Sequence, residues 1–279
     1  MKVFFTTGRS SFTNEGETTP HYDYKDFFNW TRVTAYSCLK NTSFEPIFLY
    51  DGDSDDEFGS WFKNKLGIKV LSHRISFYDE IAKTENKSYI RVASGIYPRV
   101  DFPKVMERYN ITDEKVLFVD TDTLFLSEGN LKYINTNTMA MAGQHDKNYG
   151  LPLNAGVILM NTNYMKSTFD DFLKYLLQNR NRFSGFDQQA YNEFYKGKID
   201  HLPNEFNWKP YWGENENARL IHFHGPKPTD LPMMKEGKHR RVSKYSGLFH
   251  INKTNLSHYE KWVRRWEKTF DNMIKELGD

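Results

Sequence analysis

Val116-Leu117-Phe118-Val119 is a run of four apolar residues that ends abruptly in Asp120-Thr121-Asp122. A strand with one wet face alternates apolar and polar residues. An unbroken apolar run is instead the pattern of a strand covered on both faces. Such strands belong to α/β folds, in which helices cover both sides of a mostly parallel sheet. The rest of the chain reads in the same way. Residues 3–7, 46–50 and 68–71 are strand candidates, separated by helical spacing over 26–39 and 58–66. Two longer stretches, 78–93 and 102–109, precede the central run. Residues 138–142, 156–160 and 219–223 are later strand candidates, and 164–177 and 187–195 have helical patterning. Strands alternating with helices favour βαβ units.

The chain has 279 residues, enough for one or two domains with a substantial core. Its one cysteine, Cys38, excludes an internal disulfide framework and a multi-cysteine zinc site. A formal net charge of +2 argues against a protein built to grip nucleic acid. No apolar run approaches the ~18 residues of a membrane span. The opening Met1-Lys2-Val3-Phe4-Phe5-Thr6-Thr7 turns polar too early for a signal peptide. The expected setting is therefore a cytoplasmic, reducing one. Asn-x-Ser/Thr sequons at Asn29, Asn41, Asn86, Asn110, Asn252 and Asn255 read as chance in a chain rich in these residues. The acidic segment Asp51-Gly52-Asp53-Ser54-Asp55-Asp56-Glu57 lacks the Gly and Glu spacing of an EF-hand and reads as a solvated loop.

Residues 226–247 are polar, basic and proline-bearing, which predicts a functional loop. Ser257-His258-Tyr259-Glu260 then has the form of a capping box. It predicts an amphipathic C-terminal helix with Trp262, Val263, Trp266, Phe270 and Met273 on one face and Lys261, Arg264, Arg265, Lys268 and Lys275 on the other. That helix docks on the core or, alternatively, makes peripheral contact with an anionic membrane.

The aspartate pair carries the chemistry. Side chains two apart on an extended segment point the same way, so Asp120 and Asp122 can converge on one cation. Ligands of open α/β sheets bind at the carboxyl ends of strands. Hard cations such as Mg²⁺ or Mn²⁺ take carboxylate oxygens and bridge to phosphates. A haloacid-dehalogenase-type phosphatase also places Asp-x-Asp after an apolar strand, but expects Thr or Val where Leu124 stands and a position near the chain start. Three further segments follow in order: Asn154-Ala155-Gly156 before an apolar run, Asp187-Gln188 at a helix start, and His222-Phe223-His224-Gly225-Pro226-Lys227 after a short strand.

In that order and spacing the sequence resembles the retaining glycosyltransferases of the family 8 type, which include glycogenin and bacterial lipooligosaccharide galactosyltransferases. The resemblance runs from the first strand to about Pro228. It implies a GT-A (Rossmann-like) fold: a mixed, mostly parallel sheet flanked by helices. It implies a catalytic domain over 1–228, with 229–279 as a loop and helical extension packed on it. It also implies transfer of a hexose or related sugar from a UDP-sugar to a carbohydrate or glycoconjugate, with retention of anomeric configuration.

Carried over residue by residue, Asp120, Asp122 and His222 would hold Mn²⁺ (or Mg²⁺), with His224 as the rival third ligand. Thr6, Thr7, Arg99, Thr121, Asn154, Gly225 and Lys227 would bind the donor, and Asp187 and Gln188 would line the reaction centre. Lys227 stands one residue earlier than the family pattern, and Thr229 replaces its Trp. Phe206, Trp208, Tyr211 and Trp212 lie where an acceptor sugar could stack. The carboxylate pair alone also suits an inverting enzyme or a non-catalytic nucleotide-sugar-binding protein.

Overall fold

A computed structural model describes residues 1–8, 24–83, 87–144, 152–183, 186–237 and 255–279. The elements are β1 (Lys2–Gly8), α1 (Tyr24–Asn41), β2 (Glu45–Asp51), α2 (Glu57–Leu66), β3 (Lys69–Ser72), α3 (Tyr78–Ala82), α4 (Lys87–Ile96), α5 (Phe102–Tyr109), β4 (Lys115–Val119) and β5 (Thr123–Phe125). After them come β6 (Met139–Gly143), β7 (Leu153–Asn161), α6 (Thr162–Asn179), α7 (Phe186–Phe194), β8 (Asp200–His201), β9 (Leu220–His222), α8 (Leu231–Lys235) and α9 (Leu256–Leu277).

Seven strands form a mixed α/β sheet in the order β3-β2-β1-β4-β7-β6-β8, and β5 pairs with β9 in a separate ribbon. β3, β2, β1 and β4 run parallel, whereas β7 is antiparallel to both β4 and β6. The apolar runs are covered on both faces, as expected. Val3, Phe5, Leu117 and Val119 face one core cluster, with α1, α2 and α9. Phe4, Val116 and Phe118 face the other, with α5, α6 and α7.

Topology decides where chemistry can gather. The parallel strands bring their carboxyl ends, carrying Thr6, Thr7 and Asp120, to one edge. Because β7 runs the other way, its amino end with Asn154 arrives at that same edge. A hydrogen bond from the Asp120 amide to the Gly156 carbonyl, at 2.8 Å, closes this junction.

Several local expectations change. The 78–93 stretch is divided between α3 and α4, with residues 84–86 outside the described residues. The start of the 226–247 segment is helical rather than a plain loop: a 3-10 turn over Pro228–Asp230 leads into α8. Pro228 and Pro232 sit in first-turn positions, where a missing N–H costs nothing, and Asp230 Oδ2 accepts from the Lys227 amide at 2.7 Å. Residues 238–247 of that segment, and the sequons Asn86 and Asn252, lie outside the described residues.

The capping box is absent: α9 starts at Leu256, Asn255 precedes it without a side-chain cap, and Ser257 is already helical. Leu256 packs against the core cluster and draws the start back by one turn position. Trp262, Val263, Trp266 and Met273 of α9 are buried in that cluster. Its apolar face is thus occupied by protein, which leaves only the charged face for the membrane contact considered above. No helix among the described residues is long and apolar enough to cross a membrane.

The acidic loop after β2 is structural. Asp56 caps α2 by accepting from the Gly59 amide at 2.8 Å and also accepts from Tyr50 Oη. Asp55 pairs with Lys63, and Asp51 lies 3.4 Å from Arg74.

Candidate metal and diphosphate site

The turn from β4 into β5 is pinned from α1. The Thr34 hydroxyl lies 2.9 Å from the Thr121 carbonyl and 2.7 Å from that of Thr123, and accepts from the Thr123 amide at 3.1 Å. This fixes Asp120 and Asp122 on either side of Thr121. β9 pairs with β5 so that His222 stands opposite Thr123. His222 Nε2 then lies 3.4 Å from Asp122 Oδ1 and 3.7 Å from Asp120 Oδ2. One ligand atom from each of the three residues falls within a common 4.8 Å. Among the described residues no other group of such side chains converges in this way.

The donor set fits a divalent cation. Asp122 Oδ1 is buried and has no hydrogen-bond partner among the described residues, a state that an incoming cation would relieve. Asn207 Oδ1 lies 3.0 Å from His222 Nδ1. With Nδ1–H donating there, Nε2 turns its lone pair toward the carboxylates, the usual outer support of a metal-binding imidazole. His224 is placed elsewhere, with Nδ1 3.1 Å from Tyr211 Oη. His222, and not His224, is thus the imidazole that converges with the aspartate pair.

Two cations flank the pair. Arg99 is only 4% exposed. Its Nη2 donates to Asp120 Oδ1 at 2.7 Å, its Nη1 to the Ala155 carbonyl, and its Nε lies 3.2 Å from Asp187 Oδ2. Lys227 Nζ pairs with Asp122 Oδ2 and donates to the Phe223 carbonyl at 3.0 Å. Burial opposes ionisation of Asp122, but the Lys227 ammonium beside it overcomes this and holds the carboxyl well below the usual range. Asp187 goes the other way: burial, with Asp120 nearby and Arg99 only partly offsetting, pushes it up to about 6.

This shift has a readable consequence. The folded chain holds a proton on Asp187 over a pH range where the unfolded chain has lost it. Stability from this source is full below the unfolded value near 3.8 and is lost as pH rises through about 6. The loss amounts to roughly 3 kcal/mol. Denaturant melts of the metal-free protein should show this decline between pH 4 and 7.5, and Asp187→Asn should remove it. An identical slope in that variant would mean that Asp187 ionises normally.

The side-chain amides beside this group form a hydrogen-bonded net. Gln188 Oε1 accepts from Asn154 Nδ2 and from the Ala155 amide, both at 3.0 Å, and Gln188 Nε2 donates to Gln144 Oε1. Asn154 Oδ1 accepts from the Gly156 amide at 3.1 Å and from Asn207 Nδ2 at 3.0 Å. Gly156 fills a position where a side chain has no room. A Cβ there would collide with His222 Cε1 and stand 2.6 Å from its Nδ1. Gly156→Ala should therefore push His222 aside and weaken Mn²⁺ binding by about 10–100-fold, as loss of ligand positioning does elsewhere. Calorimetric titration with Mn²⁺ checks this, and wild-type affinity would remove His222 from the ligand set.

Other expected residues fall at varied distances from this chemistry. Thr6 and Thr7 end β1 at the same sheet edge, both buried. Gly225 has φ of 97°, a conformation that favours glycine. Phe206, 1% exposed, is part of the core, and Trp212 is buried against Trp208 with ring centroids 5.3 Å apart. Their rings serve packing. Tyr211 bonds the Gln144 carbonyl and faces His224, and the Trp208 carbonyl accepts from the His222 amide at 2.8 Å.

Asn207, Gln144 and Lys209 were not legible from sequence. Lys209 is fully buried and donates to the Gly143 carbonyl at 2.8 Å, with its Nζ 4.4 Å from the Trp212 ring centre. Burial drives its amine well below the ordinary lysine value. The alternation Asn207, Lys209, Tyr211 beside His222 and His224 was the available signal.

No protein-family model matches the sequence, nor does any curated protein match it. Solved structures do. The chain superposes on the glycosyltransferase GlyE of Streptococcus pneumoniae TIGR4 with a TM-score of 0.57 at 14% identity, over 95% of this chain and 64% of that one. It spans, then, a little under two thirds of GlyE's length. The galactosyltransferase LgtC, solved with donor and acceptor sugar analogs, gives a TM-score of 0.59 at 15% identity over 98% of this chain and 96% of that one. Mouse xyloside xylosyltransferase 1 gives 0.54 at 14% identity, over 80% and 97%. These likenesses identify the fold as GT-A. Within that fold, Asp120, Asp122 and His222 form a group that could hold a metal ion.

Proposed function

We propose that the chain is a metal-dependent glycosyltransferase, moving a hexose or related sugar from a UDP-sugar to a hydroxyl of a carbohydrate or glycoconjugate, with retention. The observation that carries this reading is the convergence of Asp120, Asp122 and His222, flanked by Arg99 and Lys227, at the carboxyl edge of a GT-A sheet. Two carboxylates and an imidazole suit Mn²⁺ or Mg²⁺. The bound cation would supply Lewis-acid stabilisation of the charge on the departing diphosphate.

The chain's own residues do the rest. Lys227 adds a second positive charge beside that diphosphate. Gly225 allows close backbone approach, and Thr6 and Thr7 border the uridine. Asn154, Asp187 and Gln188 orient the sugar, so that the C1–phosphate oxygen bond breaks with the acceptor hydroxyl on the same face. The acceptor oxygen then bonds C1, and its proton passes to the departing phosphate oxygen. Both free positions of the Gln188 amide oxygen are already taken by donors, and Asp187 faces Arg99. This favours front-face attack over a covalent intermediate. Trapping a glycosylated Asp187 peptide by mass spectrometry would overturn it. The catalytic domain is residues 1–228, and 229–279 completes it through α8 and α9.

A thermal-shift panel of sugar nucleotides with and without Mn²⁺ tests the function. The expected result is stabilisation by UDP-sugars that depends on the cation. Stabilisation by none of them, with hydrolysis of simple phosphate esters, would replace this reading with the phosphatase one.

A further inference from the structure

The two flanking cations are not equivalent. Each carboxylate of the pair turns one oxygen toward His222 and the other toward a cation. Arg99 is locked. Its guanidinium is buried and engages Asp120, Asp187 and the Ala155 carbonyl at once. Lys227 is held differently. Its backbone is clamped on both sides: its amide donates to Asp230 Oδ2 at 2.7 Å, and its carbonyl accepts from Tyr259 Oη at 2.6 Å. The ammonium sits at the end of a four-carbon stem, with the side chain 16% exposed, and among the described residues it bonds Asp122 and the Phe223 carbonyl. A lysine head is a compact charge that swings on its stem, whereas a forked guanidinium held by several partners, the Ile96 carbonyl included, does not.

We propose that Lys227 is a transferable counter-ion, resting on Asp122 in the free protein and passing to the diphosphate in the loaded one, and that it thereby couples cation binding to nucleotide binding. The inference rests on the nucleotide-sugar reading above. In the free protein Lys227 neutralises Asp122 and so opposes a second cation at the same carboxylate. A diphosphate draws the ammonium away and returns the full charge of Asp122 to the metal site. Coupling of this kind is reciprocal, so the cation raises nucleotide affinity by the same factor. Arg99, fixed in place, contributes a constant field and no such exchange.

The test is calorimetric titration of Mn²⁺ alone, of UDP alone and of each in the presence of the other, on wild type, Lys227→Met and Lys227→Arg. Lys227→Met should bind Mn²⁺ alone about tenfold more tightly than wild type. Its UDP affinity in saturating Mn²⁺ should fall, and the coupling factor between the two ligands should drop by about tenfold or more. Lys227→Arg should keep the weak Mn²⁺ binding of wild type. Circular dichroism melts establish that the variants are folded. Mn²⁺ affinity without UDP that is unchanged or weaker in Lys227→Met overturns the proposal, as does tighter Mn²⁺ binding with undiminished coupling. If wild type fails to bind UDP with Mn²⁺ present, the nucleotide-sugar reading itself falls. The Mn²⁺-alone arm reads the contest at Asp122 independently of that result.

Discussion

Asp122→Asn should lower sugar-nucleotide turnover by about a thousandfold while leaving the fold intact. The substitution keeps the shape of the side chain and removes its charge. Asp122 Oδ1, a buried oxygen without a hydrogen-bond partner among the described residues, is the one turned to His222 Nε2. A neutral amide there is a far poorer ligand for a hard cation. The partner left behind tolerates the change: Lys227 retains the Phe223 carbonyl and has access to solvent. The melting temperature should stay within a few degrees of wild type. Steady-state kinetics and calorimetric titration of UDP with Mn²⁺ read the two effects separately. Unchanged affinity for UDP with Mn²⁺ in both Asp122→Asn and Asp120→Asn would refute the metal assignment. Asp120→Asn differs in one respect, since it also takes a partner from buried Arg99 and so lowers stability more.

The largest expected loss of stability follows from Arg99→Met. Arg99 bridges Asp120 and Asp187 across a buried space. Its removal leaves a buried carboxylate without compensation and the Ala155 carbonyl without its donor. Breaking a buried pair in this way costs about 3–5 kcal/mol. For a chain of this size that corresponds to a fall in melting temperature of roughly 6–20 °C. The dependence on pH distinguishes this from a packing defect. Asp187 takes up a proton near pH 6 even with Arg99 present, and more readily without it. The variant should therefore regain stability as pH falls toward 5, and Arg99→Met with Asp187→Asn should be less destabilised than Arg99→Met alone. Additive losses across this double-mutant cycle would show that the two residues do not interact.

How much of this was legible in the sequence can be judged residue by residue. The apolar run before Asp120 announced a strand buried on both faces, and alternate residues of β4 do enter the two core clusters. The pair spacing of Asp120 and Asp122 and the order of the later motifs pointed to the residues that converge. What failed was local at the ends of elements. The start of α9 moved because Leu256 found a place in the core, and residues after Pro226 gained a short helix through Asp230 and two prolines. Phe206 and Trp212 were aromatic and near the site in sequence, yet packing claimed their rings.

The sequence by itself determined the class of fold and the identity of the carboxylates that converge beside His222. Periodicity reports which side chains turn inward, and that is a property of neighbouring residues. Only the tertiary structure decided that β7 runs antiparallel and delivers Asn154 to the carboxyl edge. It alone decided that Arg99 joins Asp120 to Asp187, and that Lys227 rests on an aspartate 105 positions away. Such contacts leave no repeat in the chain. They arise where the closing of the sheet forces buried charges to find partners, because an unpaired charge in that space costs more than the order needed to pair it.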